Sequence, residues 1–526
     1  MGAQIAKPRL KPTAEALYGG SYMMSAHHAA SRSDRSMATW NPPAGSADAD
    51  LIDELDVIVP RSRDLVRNNG LASGAIQTLK DNIVGSVLRL SAKPDSRLLG
   101  WEKEHSAEWV KEVEAQFRTW AETTECDAGR TMTLLGLTTQ ALGSALFNGE
   151  ALAIPHWLPR NDARWSSRLM LIEADRLATP PGMEHLDTIR GGIEVDQYGA
   201  PAAYWIQKTH PGDRYSMTWT PSPDQWERIP AFTAWGRRRV VHLHDKERTG
   251  QSRGKPILTS VMREFRMAGH YETTELQAAV SNSLIAAFIE SDLDQESVAQ
   301  LFSSGADRNP ESYWRSQHQE YQTTLKGGAV IPLPIGAKLS GFQPGRPNAA
   351  FEGFMYAVLR HIAAGLNIPY ELLTKDFSQT NYSSARAALL EAWRFFIGRR
   401  RWIKEYWLDP IYELWLEEAV QLGRIEAPSF YEHRYAYSRC RWIHAGRGWV
   451  DPVKEANAAK IRMDAGLSTL EMECAEQGQD WEEVIEQRAR EKQAIADSGL
   501  SEHDPVTDEE ILAMEEEDKK LEDKKR

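Results

Sequence analysis

Ile362–Ala392, IAAGLNIPYELLTKDFSQTNYSSARAALLEA, joins two helical patterns through a polar segment rich in Tyr and Ser. Ahead of it Phe351, Phe354, Val358, Leu359 and Ile362 recur at helical spacing, so one apolar stripe runs into the segment. Pro369 is expected to stop that helix, because the residue before a proline is pushed out of the helical region. From Ser384 a second stripe begins, with Leu389, Leu390, Trp393, Phe396 and Ile397 along one side. No catalytic motif lies between the two. The linker reads as a segment that projects rather than packs.

Outward from it, the chain alternates in character. Residues 1–50, rich in Ala, Ser, Gly and Pro, show little periodicity and are expected to form a flexible arm. Helical patterns dominate to about residue 150: Glu104–Thr119 puts Trp109, Val110, Val113 and Phe117 on one side, and Met132–Asn148 carries Leu134, Leu135, Leu142 and Phe147. Strand signals follow from Ala151 to Val241, including an apolar run at Arg168–Glu173 and a hairpin at Ile193–Ile206 turning at Tyr198-Gly199. Helix returns at Pro256–Ala287, and Leu325–Leu339, punctuated by Gly and Pro, reads as short irregular strands. Near the C-terminus Asp451-Pro452 starts a helix and Gly466 ends it. Ser468 with Glu471 reads as a capping box, and Asp480 with Glu483 repeats the device.

Composition bounds the function. The chain has 526 residues, a formal net charge of −13 and a mean hydropathy of −0.51. That balance disfavours broad gripping of nucleic acid, which needs clustered Lys and Arg; it is compatible with a wall along which DNA slides and equally with charge that merely aids solubility. No run approaches the ~18 apolar residues of a membrane span, so no membrane partner is expected. The N-terminus lacks the apolar core of a signal peptide, and Ala6 departs from the myristoylation pattern. Cys126, Cys440 and Cys474 are too sparse for a disulfide framework or thiolate metal site, which points to synthesis in a reducing cytoplasm.

Motif tests exclude most chemistry. Gly250–Lys255, GQSRGK, is one residue short of a phosphate-binding loop, and Pro256 stands where Ser or Thr would bind magnesium. His242, His244 and Asp245 supply two imidazoles on one strand face and a carboxylate, but no third strong ligand at recognisable spacing. A metal-dependent hydrolase built on that cluster is the alternative reading. Glu417-Glu418 and Glu482-Glu483 read as solvated helix faces. Arg399-Arg400-Arg401 and Lys404, interleaved with Trp393, Trp402, Tyr406 and Trp407, read as a snorkelling helix whose aromatics pack between subunits; the DNA-contact reading is weaker, since stacking needs single strands. Tyr431–Trp442 reads the same way. No cofactor and no enzymatic activity are expected.

Four stretches resemble the portal proteins of tailed bacteriophages, specifically the lambda-like family, and occur in that family's order. They are Arg61–Leu90 (RSRDLVRNNGLASGAIQTLKDNIVGSVLRL), Ile193–Ile206 (IEVDQYGAPAAYWI), the AAGLNIPYELLTKDFSQTNYSSARAALLE segment and Trp449–Lys492 (WVDPVKEANAAKIRMDAGLSTLEMECAEQGQDWEEVIEQRAREK). The resemblance implies a mixed α/β, predominantly helical portal fold of wing, stem, clip and crown that closes as a ring. It implies an arm at 1–50, a wing at 51–255, stem helices at 256–287 and 348–368, and a clip at 288–347. A tunnel loop would occupy 369–384, the long wing helix and following segment 385–449, the crown helices 450–500 and a charged tail 501–526. Tyr370, Lys375, Gln379, Thr380, Asn381 and Tyr382 would line the channel; Leu333, Ile335 and Lys338 would belong to a docking surface in the clip. The implied protein is a homododecamer at a unique capsid vertex, serving DNA packaging and ejection. Its implied partners are the terminase large subunit, the major capsid and scaffolding proteins, the head-completion and connector proteins, and double-stranded DNA. Its place is the virion, after assembly in the host cytoplasm. A head–tail adaptor is a third reading, disfavoured by chain length.

Overall fold

Asn69 splits what would be one long helix into two. Its backbone is extended while its side chain accepts from the Ala72 amide at 3.0 Å, which ends α2 (Leu55–Asn68) and caps α3 (Gly70–Ile83) in one residue. The computed structural model describes residues 28–30, 34–213, 223–284, 288–290, 338–340, 351–378, 380–448 and 451–498. Within them, α3 buries Ala72, Ala75, Ile76, Leu79 and Ile83 along one face. Small residues there let neighbouring helices approach closely: α5 (Lys103–Ala121, after the short α4, Ser96–Leu99), α6 (Leu134–Asn148) and the later helices share the same core. Trp120, Trp165, Trp407 and Trp415 are fully buried in it.

Two antiparallel sheets stand beside this helical core. The first has the order β3 (Ser167–Ile172), β2 (Glu150–Trp157), β8 (Val241–His244); the second runs β4 (Ile189–Arg190), β5 (Ile193–Val195), β6 (Pro201–Gln207), β7 (Trp226–Pro230). A smaller apolar core, including Leu152, Ile172, Ile193, Tyr204, Ile206 and Val240, joins them. The expected hairpin turn is present, with Gly199 at φ +80. β1 (Leu88–Ala92) pairs with β11 (Cys440–His444), which ties the first helices to the far end of the chain.

The segments expected as stem helices contain a helical hairpin. A 3-10 turn at Ile257–Val261 leads into α7 (Met262–Leu284), so the regular helix starts later than expected. α8 (Phe351–Gly365) returns antiparallel to it: Tyr271 meets Phe351 and Phe354 at one end, and Gly365 abuts Val261 at the other. A methyl group on Gly365 would lie 2.4 Å from Val261 Cγ1, so glycine permits this close approach. Between the two, β9 (Phe288–Glu290) pairs with β10 (Lys338–Ser340); the rest of the expected clip, including Leu333 and Ile335, lies outside the described residues.

Several expectations are corrected. Pro369 is not what ends α8. Asn367 adopts φ +55, the Ile368 amide donates to Ala363 O and the Asn367 amide to Ala364 O, a left-handed cap that closes the helix at Gly365, before the proline could act on Ile368. The arm is not free up to residue 50: α1 (Ala47–Leu51) docks through Asp48, which accepts from the Ser252 amide at 2.7 Å, and through Asp50, which pairs with Arg248. Glu417 and Glu418 are buried rather than solvated; Glu418 accepts from the Ser166 and Ser167 amides at 2.6 and 2.8 Å. Three aromatics of the basic segment pack within the chain, with Trp407 fully buried and Trp393 and Trp402 against the core, while Tyr406 is 54% exposed. The long helix comes as α10 (Tyr382–Ile403), a π-helical turn at Lys404–Leu408 and α11 (Asp409–Gln421). After α12 (Arg434–Ser438) and β11, Asp451 caps α13 (Pro452–Asp464) as expected, and Gly466 follows at φ +69. The next cap is Thr469, not Ser468: its hydroxyl accepts from the Met472 amide at the head of α14 (Leu470–Glu476). Asp480 caps α15 (Trp481–Ser498), while Glu483 reaches Arg89 and Arg118 instead of turning back.

Candidate functional site: the loop between stem and long helix, and the root of the stem

Sixteen residues were expected to project as loop, and the structure keeps fewer than half of them there. Tyr370–Thr374 is a short helix, α9, that starts at Pro369 and buries Leu373. Tyr370 is therefore half-buried, with its ring 4.6 Å from that of Tyr356 at a 67° tilt. Lys375 ends α9 in the left-handed region at φ +58 and is exposed. Asp376 then accepts from the Ser378 amide and hydroxyl, which holds its carboxyl below the usual range. Thr380 donates its hydroxyl to Phe377 O at 2.9 Å.

Asn381 closes the segment by capping α10, its side chain accepting from the Ser384 amide at 2.8 Å. Tyr382 is the first residue of that helix, and Gln379 lies outside the described residues. The span between the two helices is thus Lys375–Asn381, a polar bridge held at both ends by helix termini, in which Lys375–Ser378 and Asn381 are exposed and Thr380 is half-buried. Lys338, the described member of the clip trio, is opposite Glu290 in the β9–β10 ladder.

The histidine cluster has another role. His242 and His244 do share a strand face, their rings stacked with centroids 4.1 Å apart. His242 Nε2 faces Glu150 Oε2 at 2.9 Å, and burial holds His244 neutral, well below the ordinary histidine range. Asp245 is paired with Arg399. Among the described residues, His242, His244 and Asp245 are not gathered into a metal-sized set.

At its heart is an ion pair that motif reading missed. Glu150 is fully buried, and the Arg253 guanidinium, with His242, holds its carboxyl far below the usual range despite burial. Arg253 Nε donates to Oε1 at 2.8 Å and Oε2 at 3.0 Å; its Nη atoms donate to Leu177, Gly191 and Ala174 carbonyls at 2.9, 2.7 and 3.2 Å. This guanidinium fastens the loop that leads into the stem to both sheets. GQSRGK was legible only as a failed phosphate loop; the signal available was an Arg between glycines, and a Glu opening an apolar strand at Glu150–Trp157.

Other basic residues are likewise spent inward. Arg400 lies over the Trp393 ring and donates to the carbonyls of Asn82, Ile83 and Ala445, with burial pulling it down to about 10. Arg401 pairs with Glu405. Among the described residues, Glu173, Asp175 and His210 are the group spaced to hold a metal. Yet His210 Nδ1 accepts from the Gly212 amide at 2.9 Å, so the ring proton sits on Nε2, which faces Glu173 at 3.1 Å. Arg63 takes Asp175 as well. The donor set is satisfied without a cation.

Met267, Leu276 and Val280 on α7 and Leu390 and Ile397 on α10 are exposed apolar side chains. Residues 33–400 match the sequence family described as phage portal protein, lambda family, and the chain belongs to that family. It is 33% identical over 479 residues to portal protein B of Escherichia phage lambda, with 88% of each chain covered. It is also 33% identical over 478 residues to the portal protein of Escherichia phage N15, again with 88% of each covered. A probable portal protein of Halomonas phage phiHAP-1 is 23% identical, covering 85% of this chain and 82% of its own. Similarity to solved structures is looser: a chain of the native gene transfer agent virion gives a TM-score of 0.42 at 13% identity, covering 81% of this chain and 91% of that one. No helix among the described residues is long and apolar enough to cross a membrane.

Proposed function

We propose that this portal protein closes as a homododecameric ring at one capsid vertex and forms the channel through which double-stranded DNA is packaged and ejected. The observation that carries this reading is family membership over residues 33–400, joined to the order of parts: antiparallel hairpin, short polar bridge, long helix. A ring needs two different faces on each subunit, which the exposed apolar side chains of α7 and α10 can supply. The segment around the bridge lines the narrowest part of the channel, with Tyr370, Lys375, Gln379, Thr380, Asn381 and Tyr382 as its lining residues. The bridge itself carries one Lys and one Asp, so it offers hydrogen bonds without a strong net charge. Such a sleeve touches the duplex and does not hold it.

In the assembled particle the clip, with Leu333, Ile335 and Lys338, docks the terminase large subunit during filling and head-completion or connector proteins afterwards. The wing meets the major capsid and scaffolding proteins during assembly in the host cytoplasm, and the ring stays as a virion component. The chain brings no catalysis of its own; the partner ATPase drives movement. Deleting Lys375–Thr380, which spares the end of α9 and the Asn381 cap, is the decisive test. Rings should form normally under negative-stain microscopy while DNA packaging or retention fails. Unchanged packaging by the deleted ring would refute the channel assignment.

A further inference from the structure

Along the edge formed by the 232–239 turn and the segment after α11, four aromatic rings face outward. Phe232 is 44% exposed, Trp235 60%, Tyr431 45% and Tyr435 71%. Two of them are fixed. Trp235 Nε1 and the Tyr431 hydroxyl both donate to the same buried oxygen, Glu417 Oε1, at 3.1 and 2.8 Å. Arg434, over the Tyr431 ring, donates to Gly236 O and Trp235 O and joins the two stretches. Trp235 and Tyr431 thus turn their polar atoms inward and present apolar faces that are already ordered. Pre-ordering of this kind lowers the entropic cost of binding, and Trp, Tyr and Arg dominate binding hot spots.

The charge is selective as well. Arg237 is drawn to Glu417 and Arg434 to Glu413, whereas Arg238 (over Phe232) and Arg239 face no carboxylate among the described residues. The matching ligand carries apolar side chains flanked by acids. Asp508–Asp518, DEEILAMEEED, places Ile511, Leu512 and Met514 between seven carboxylates.

Reach permits the contact. Glu483 of α15 pairs with Arg118 of α5, and Gln116 of α5 donates to Arg424 O just beyond α11, which bears Glu417. α15 spans about 27 Å, and the thirteen residues from Ser498 to Ile511 extend to about 43 Å. The tail can return the whole length of its own helix.

We infer that the Trp235/Tyr431 surface is the docking site of the chain's own acidic tail, Asp508–Asp518. A bimane fluorophore on Ala513→Cys in the full chain, with half-buried Cys440 changed to Ser, reports contact because tryptophan quenches it. Quenching should be present, and lost in Trp235→Phe and in the Arg238→Glu/Arg239→Glu pair. It should fade in about 1 M salt, where screening shortens to about 3 Å. Quenching that is absent, or that survives Trp235→Phe, would overturn the assignment. So would loss of rings in the arginine pair under negative-stain microscopy, which would give the surface to a neighbouring subunit instead.

Discussion

Replacing Arg253 by Met should expose the energetic role of the buried ion pair with Glu150. The guanidinium makes its bonds to Glu150 where the carboxylate side chain is 2% exposed, and it satisfies three backbone carbonyls besides. Met fills a similar volume but leaves Glu150 with His242 Nε2 and a long contact to the Gly254 amide at 3.4 Å. Breaking a buried pair from one side typically costs about 3–5 kcal/mol, and the carbonyls left unpaired push the figure toward the upper end. Urea unfolding followed by tryptophan fluorescence would measure it. The pH dependence identifies the cause. In the native protein the Glu150 pKa is depressed, so its contribution is present above the unfolded carboxylate range and lost only as pH falls far below it. In the variant the unpaired, buried carboxyl has its pKa raised, so stability is kept at low pH and lost as pH rises through that value. The gap between the two proteins should therefore be widest near neutrality and narrow toward about pH 4. Adding Glu150→Gln should recover part of the loss. A gap equal at both pH values, or no recovery in the double variant, would refute a buried-charge mechanism.

Tyr370→Ala should destabilise the protein by roughly 2–3 kcal/mol through its lost contact with Tyr356, whereas Lys375→Glu should stay within about 0.5 kcal/mol and alter packaging instead; thermal melts and a packaging assay separate them. Burial raises the Glu114 carboxyl to about 7 while the Ala92 amide donates to it. The stability tied to it is full below the unfolded carboxylate range and lost as pH rises through about 7, so Glu114→Gln should flatten the decline between pH 5 and 8 in denaturant titrations. Gly254→Ala should prevent folding of the wing, because the added carbon would lie 1.9 Å from the Gly149 carbonyl oxygen, a backbone atom that cannot step aside; soluble yield and circular dichroism would report it.

Helix positions were the most legible part of this sequence. Trp109, Val113 and Phe117 recur at helical spacing and are buried as the period requires, and Asp451-Pro452 caps the helix it announces. The Ile193–Ile206 hairpin was likewise readable from its turn. Polar residues misled wherever long-range partners decided their fate. Adjacent Glu417 and Glu418 look like a solvated face until Trp235, Tyr431 and the Ser166–Ser167 backbone arrive from elsewhere in the chain. Glu150 and Arg253 stand 103 positions apart, beyond the reach of any local pattern. The short helix Tyr370–Thr374 was hidden for a subtler reason. Pro369 reads as a stop, yet it also suits the threshold of a new helix, and the short turn that follows has too few residues to show a period.

The wide turn at Lys404–Leu408 has a consequence for how the long helix packs. An α-helix carries a rotation from end to end because each turn is locked to the next by i to i−4 bonds. A π turn breaks that lock with one additional residue per turn. Here the turn is itself held: Trp407 and Leu408 are buried within it, and Lys404 pairs with Asp409 across it. Upstream, Arg400 anchors the helix to the Asn82, Ile83 and Ala445 carbonyls; downstream, Trp415, Glu417 and Glu418 are buried. The additional residue therefore resets which faces the two halves bury, and both stay tied to the core.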